Sequence, residues 1–147
     1  MAFVSLTRLH VRAWYYLPAF LLHASRSSRQ AQRAPGFILG ALSADVPRRT
    51  FWTVTVWIDQ AAMRAYQFSG AHKIVMSKIG AWCDEGSVAR TENAAEGLPA
   101  GEAALAYMRE HGRITRLPDP SPAHATGATV PDGRAPNFTG RLKPLNP

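Results

Sequence analysis

One cysteine, Cys83, is all that 147 residues provide, so no internal disulfide framework exists and a reducing compartment such as the cytoplasm is the expected setting. Acid is missing from the start of the chain: the earliest carboxylate is Asp45, whereas Arg8, Arg12, Arg26, Arg29 and Arg33 all precede it. Long apolar runs are missing too. Residues 14–22 are apolar but short and broken by Pro18, too short for a membrane span and without the cleavage site of a secretory signal. No Gly-rich phosphate loop or Gly-x-Ser-x-Gly elbow occurs. The histidines (His10, His23, His72, His111, His124) include no pair at close ligand spacing, and with one cysteine they make no zinc signature.

What is present suits one domain with one core, at 46% hydrophobic residues. The net charge is +7, and all basic residues but Lys73, Lys78 and Lys143 are arginine. That balance favours anionic partners without naming one. The arginines are dispersed and no helix-turn-helix or RNA-binding aromatic signature accompanies them, which argues against nucleic acid. The acid-free N-terminus has the composition of an organelle-targeting peptide. Its periodicity instead reads as a folded strand and helix.

Residues 3–11 alternate as a strand, with Phe3, Ser5, Thr7, Leu9 and Val11 on one face and Val4, Leu6, Arg8 and His10 on the other. The basic end of the second face suits either the rim of a pocket or a strand running into solvent. Residues 17–34 have helical spacing, with Leu17, Phe20, Leu21, Ala24, Ser28 and Ala31 in one stripe and Pro18 in the first turn. Pro35-Gly36 stops the helix. Residues 36–44 form a second strand, 45–49 a turn, and 50–58 the strongest strand, with Trp52, Val54, Val56 and Ile58 opposite Phe51, Thr53, Thr55 and Trp57. Both faces of this strand are apolar; helices cover one, and a partner subunit is the simplest cover for the other.

Asp59 is an N-cap for a helix over 60–68, and Ser69 for a second over 70–85, whose stripe is Val75, Met76, Ile79, Trp82 and Cys83. A strand over 87–91 completes a β-α-β-β-α-β order, an α+β ferredoxin-like plan for residues 1–117. It includes a helix over 101–111 and an edge strand over 114–117. Residues 118–147, rich in proline, form an extended or disordered tail or an arm over a neighbour.

His72 is the leading candidate for chemistry. In the first turn of a helix its imidazolium is disfavoured, and a neutral ring can accept a proton, hydrogen-bond a substrate or ligate iron. The competing reading is a helix-terminal histidine bonded to a nearby carbonyl. Trp52, Trp57 and Trp82 could wall a cavity for a flat apolar ligand, with Tyr66 among the tyrosines supplying a hydroxyl, or simply fill the core. Cys83 is followed by Asp84 and Glu85, which raise a thiol pKa and speak against a nucleophile. Those two acids read as a solvated helix end.

The run Thr55-Val56-Trp57-Ile58-Asp59, then Ala61-Ala62-Met63-Arg64-Ala65-Tyr66, Gly70-Ala71-His72, Trp82 and Ala89-Arg90 resembles spheroidene monooxygenase-like proteins. These relate to the dimeric α/β-barrel superfamily that includes antibiotic-biosynthesis monooxygenases. The resemblance covers about forty residues and leaves out the tail. It implies two ferredoxin-like subunits packed sheet to sheet as a homodimer, each with a cavity between sheet and helices. It also implies monooxygenase-like chemistry on a small apolar substrate, with haem in some relatives and no cofactor in others. His72 is the position carried over as ligand or acid/base group, with Trp52, Trp57, Tyr66 and Trp82 around the substrate. A ligand- or haem-binding dimer without turnover is the alternative.

Overall fold

A computed structural model describes residues 2–93 and 97–145, apart from the side chain of Asn93. Strand β1 (Ala2–Val11) leads through a short 3₁₀ turn into helix α1 (Leu17–Arg33). Then come β2 (Phe37–Asp45), β3 (Thr50–Trp57), α2 (Gln60–Gln67), α3 (Gly70–Trp82) and β4 (Cys83–Asn93). Helix α4 (Gly101–His111), β5 (Arg113–Ile114), α5 (Pro122–Ala125) and β6 (Gly140–Leu142) complete the chain. The sheet order is β5-β4-β1-β3-β2-β6, with every pairing antiparallel. Its inner four strands, β4-β1-β3-β2, carry the ferredoxin-like plan expected from the β-α-β-β-α-β order.

Helices α1, α2 and α3 cover one sheet face. Phe3, Phe37, Trp57 and Met63 pack with Ala31 at one end of that layer, and Val11, Leu17, Phe20, Trp82 and Cys83 at the other. Gly36 allows the turn into β2: its φ is +86°, and a Cβ there would stand 2.6 Å from the Ala62 Cβ. The stripes are rotated from the sequence reading. Leu21 and Met76 face solvent, and Ser27 is buried where Ser28 was expected.

The opposite face corrects a second expectation. Val4, Leu6, Trp52, Val54, Val56 and Ala89 are covered by Ala104, Leu105 and Met108 of α4 and by Val130, with Ala135 and Phe138 packed against them. The chain supplies its own cover where a partner subunit had been inferred. Residues 118–142 run as the short helix α5, turns and then an extended stretch over this face, and Leu142 lies opposite Gly40 of β2. Short apolar residues spaced among prolines bury enough surface to hold such a segment down without a long helix or strand.

Helix α3 stops at Trp82, three residues sooner than expected, and the edge strand is two residues long. Cys83, Asp84 and Glu85 therefore open β4. His10 pairs with Glu85 and Val11 with Cys83, so Asp84 is the extra residue of a bulge. The bulge lets adjacent acids reach the same side of the sheet. No helix among the described residues is long and apolar enough to cross a membrane.

Candidate functional site

Under the helices, three side chains stack in sequence. The Trp57 ring lies 5.1 Å from Tyr66, and Tyr66 lies 4.6 Å from His72, centroid to centroid. Trp57 comes from the end of β3, Tyr66 from the inner side of α2 and His72 from the first turn of α3. Asp59 caps α2 as expected, its Oδ1 accepting from the Ala62 N–H at 2.8 Å. Ser69 does not cap α3; its hydroxyl donates back to the Ala65 carbonyl at 2.8 Å. The cap comes from Gln30 of α1, whose Oε1 accepts from the His72 N–H at 2.8 Å while its Nε2 donates to the Ser69 carbonyl at 2.7 Å.

The His72 Nδ1 is 3.0 Å from the Gln67 carbonyl, which can only accept, so Nδ1 carries the proton and Nε2 of the neutral ring is the acceptor. Burial lowers the His72 pKa; the Gln67 bond opposes this, and the Arg90 charge adds to the lowering. Burial pushes the Tyr66 phenol up to about 12 against the opposing pull of its Ser27 hydrogen bond at 2.7 Å. At neutral pH the site therefore holds a neutral imidazole beside a protonated phenol. Trp57 is fully buried, and its Nε1–H has no hydrogen-bond partner among the described residues.

The other two tryptophans lie elsewhere. Trp82 packs against Phe20 and His23 at the far end of the helix layer. Trp52 is on the opposite sheet face, in the floor of a cleft of about 280 Å³ that Thr50, Asp132, Arg134 and Asn137 also line. Of the five residues expected at a site, the fold brings together Trp57, Tyr66 and His72.

Sequence spacing missed a second polar cluster, on the face covered by the C-terminal segment. His10 Nδ1 is 2.5 Å from Asp84 Oδ1, and Arg8, 1% exposed, donates to Glu85 Oε1 at 2.9 Å and reaches Asp132 at 3.4 Å. Arg8 and His10 are thus neither a pocket rim nor a solvated strand end. Asp84 and Glu85, read as a solvated helix end, are these ion-pair partners. Ligand atoms of His10, Asp84 and Glu85 lie within 4.8 Å of one another, close enough for a metal ion. Their charges are already engaged, however: Glu85 takes Arg8 and the Ser121 hydroxyl, and Asp84 takes His10. Seventy-four residues separate His10 from Asp84, so no local motif announces the pair. Cys83 is buried, and burial, helped by Asp84, raises its thiol pKa to about 12, which keeps it unreactive.

Haem ligation would use the His72 Nε2, which the Gln67 bond at Nδ1 leaves as an acceptor; neither the Trp52 cleft nor a second one beside Leu117 and His124 includes His72.

No family model and no curated protein matches the chain. Solved structures do match in fold. SnoaB, a cofactor-independent oxygenase from Streptomyces nogalater, is 17% identical with a TM-score of 0.54, covering 67% of this chain and 97% of that one. A putative antibiotic biosynthesis monooxygenase from Bacteriodes thetaiotaomicron is 14% identical with a TM-score of 0.57, over 67% and 94%. One from Nitrosomonas europaea is 13% identical with a TM-score of 0.56, over 63% and 90%. The fold is thus shared with these structures, and about a third of this chain has no counterpart in them.

Proposed function

We propose that this protein is a monooxygenase-like enzyme acting on a small flat substrate between the sheet and the helices. The observation that carries the reading is the Trp57–Tyr66–His72 stack, in which Tyr66 lies between a neutral imidazole and a buried indole whose N–H has no partner among the described residues. The His72 Nε2 accepts a proton from the substrate, while the aromatic rings hold it flat. Tyr66 stays protonated and orders the wall through Ser27. Dioxygen reacts with the electron-rich substrate that deprotonation leaves. The fold shared with structures described as oxygenases supports this class of reaction.

The homodimer implied by the family resemblance pairs chains sheet to sheet, and here α4 and residues 118–142 lie on that face. We therefore infer that one chain is the working unit. His72→Ala should abolish oxygen uptake on a panel of flat phenolic substrates and leave the circular dichroism spectrum unchanged. Uptake at the wild-type rate would refute the assignment. Saturable binding with no uptake by wild-type protein would favour a ligand-binding role.

A further inference from the structure

The helix-side face of the sheet has a polar middle. The two apolar clusters at its ends are separated by Ser5 and Thr7 of β1 and Thr53 and Thr55 of β3, with Ser5 and Thr55 buried. Ser5 pairs with Thr55 on one side and with Arg90 of β4 on the other, which places all three in one row across three strands. Phe3 pairs with Trp57, so Arg90 lies one row along and two strands across from Trp57, about 12 Å apart along the backbone at the usual strand spacing and rise.

Arg90 is an unusual occupant of this layer. Its Nε–H is buried with no hydrogen-bond partner. Its surroundings are cationic: burial and the charges of Arg113 and Arg64 disfavour its protonated form, and its own charge disfavours protonation of His72. Arg113 pairs with Val88, diagonal to Arg90 on the same sheet face. None of Arg64, Arg90 and Arg113 has a carboxylate partner among the described residues. Glu92, two residues along the strand, is exposed and pairs with none of them. A half-buried guanidinium whose Nε edge has no partner among the described residues, flanked by two further cations, carries a charge that no described carboxylate neutralises.

Building on the reading above, we propose that Arg90 binds the carboxylate of the substrate, an aromatic acid whose ring lies toward Trp57 and His72. The free Nε–H and an adjacent Nη–H along one edge of the guanidinium match the two oxygens of a carboxylate. A span of about 12 Å between the Arg90 and Trp57 positions accommodates two fused rings with the acid at one end and its hydrogen bonds to the guanidinium. Arg113 and Arg64 raise local anion concentration without having to touch it.

Isothermal titration with 2-naphthoate and its neutral analogue 2-naphthamide tests this on wild type, Arg90→Gln and Arg90→Lys. Wild type should bind naphthoate about tenfold to a hundredfold more tightly than naphthamide, the usual weight of a hydrogen-bonded charge. Arg90→Gln should erase the preference. Arg90→Lys, which keeps the charge and most of the volume but loses the paired edge, should retain part of it. Equal affinity for the two probes, no binding of either, or an unchanged preference in folded Arg90→Gln or Arg90→Lys would overturn the proposal. The assay does not depend on turnover. An Arg90-dependent preference in a protein that consumes no oxygen on any substrate would overturn the oxygenase reading and leave the anion site standing. Oxygen uptake on neutral phenols together with no preference for naphthoate would do the reverse.

Discussion

Replacing Arg8 with Met should cost about 3 kcal/mol of stability, the low end of the range for breaking a buried ion pair. The side chain is 1% exposed and joins Glu85 at 2.9 Å to Asp132 at 3.4 Å. Methionine fills most of the same space, so the loss is chiefly electrostatic. Glu85, 13% exposed, is left with only the Ser121 hydroxyl as side-chain partner, at 3.0 Å. Asp132, 28% exposed and farther away, turns to water at little cost and holds the figure down. For a chain of this size the loss lowers the melting temperature by roughly 10 °C. Urea unfolding of wild type, Arg8→Met, Glu85→Gln and the double variant gives the comparison. The double variant should be more stable than Arg8→Met, because the more buried carboxylate is gone and only Asp132, which turns to water, has lost Arg8. An Arg8→Met protein within about 1 kcal/mol of wild type would refute the view that Arg8 compensates a buried Glu85 charge.

Tyr66→Phe should lose about 1–2 kcal/mol by leaving the Ser27 hydroxyl unpaired beneath α2, read by the same unfolding assay; no loss would mean that water replaces the phenol. Because the folded-state pKa of His72 is depressed below its ordinary 6.5, the unfolded chain binds a proton there that the folded chain refuses. Stability should therefore fall as pH drops from 7 through 6.5 toward the lowered value, and His72→Gln should flatten part of that slope. Parallel pH profiles for the two proteins would contradict the burial argument. Light scattering at micromolar concentration should give a monomer; a dimer would require an interface other than the sheet face covered by α4 and Val130.

The inner fold was legible in the sequence because alternation in β1 and β3, Pro18 in the first turn of α1 and the Asp59 cap are local signals. The last turn expected of α3 was misread. Trp82-Cys83 continues the helical apolar spacing, but Arg12 accepts no such extension: its N–H donates to the Trp82 carbonyl at 2.7 Å, starting a strand there instead. Tertiary pairing of this kind leaves no trace in a local window. The same holds for His10 with Asp84, and for the Trp52 indole, whose face of β3 was correctly grouped although its cover was not. Trp57, Tyr66 and His72 were singled out from residue type, helix position and the family resemblance. Their convergence, and the separation of Trp52 and Trp82 from them, follows from which face each strand or helix turns to the core.

Gln30 gives the helix break a further meaning. A single amide on α1 ties together the Ser69 carbonyl, the Tyr66 carbonyl at 3.2 Å and the His72 N–H, across 42 residues of chain. The start of α3, and with it the direction of the imidazole, is therefore written outside the segment that contains it. A peptide spanning α2 and α3 alone would lack that anchor, and transplanting the pair into another scaffold would have to bring a glutamine on the helix beneath. The histidine acquires its setting only when the first and third helices dock, so the chemistry proposed for it depends on a contact made far away in sequence.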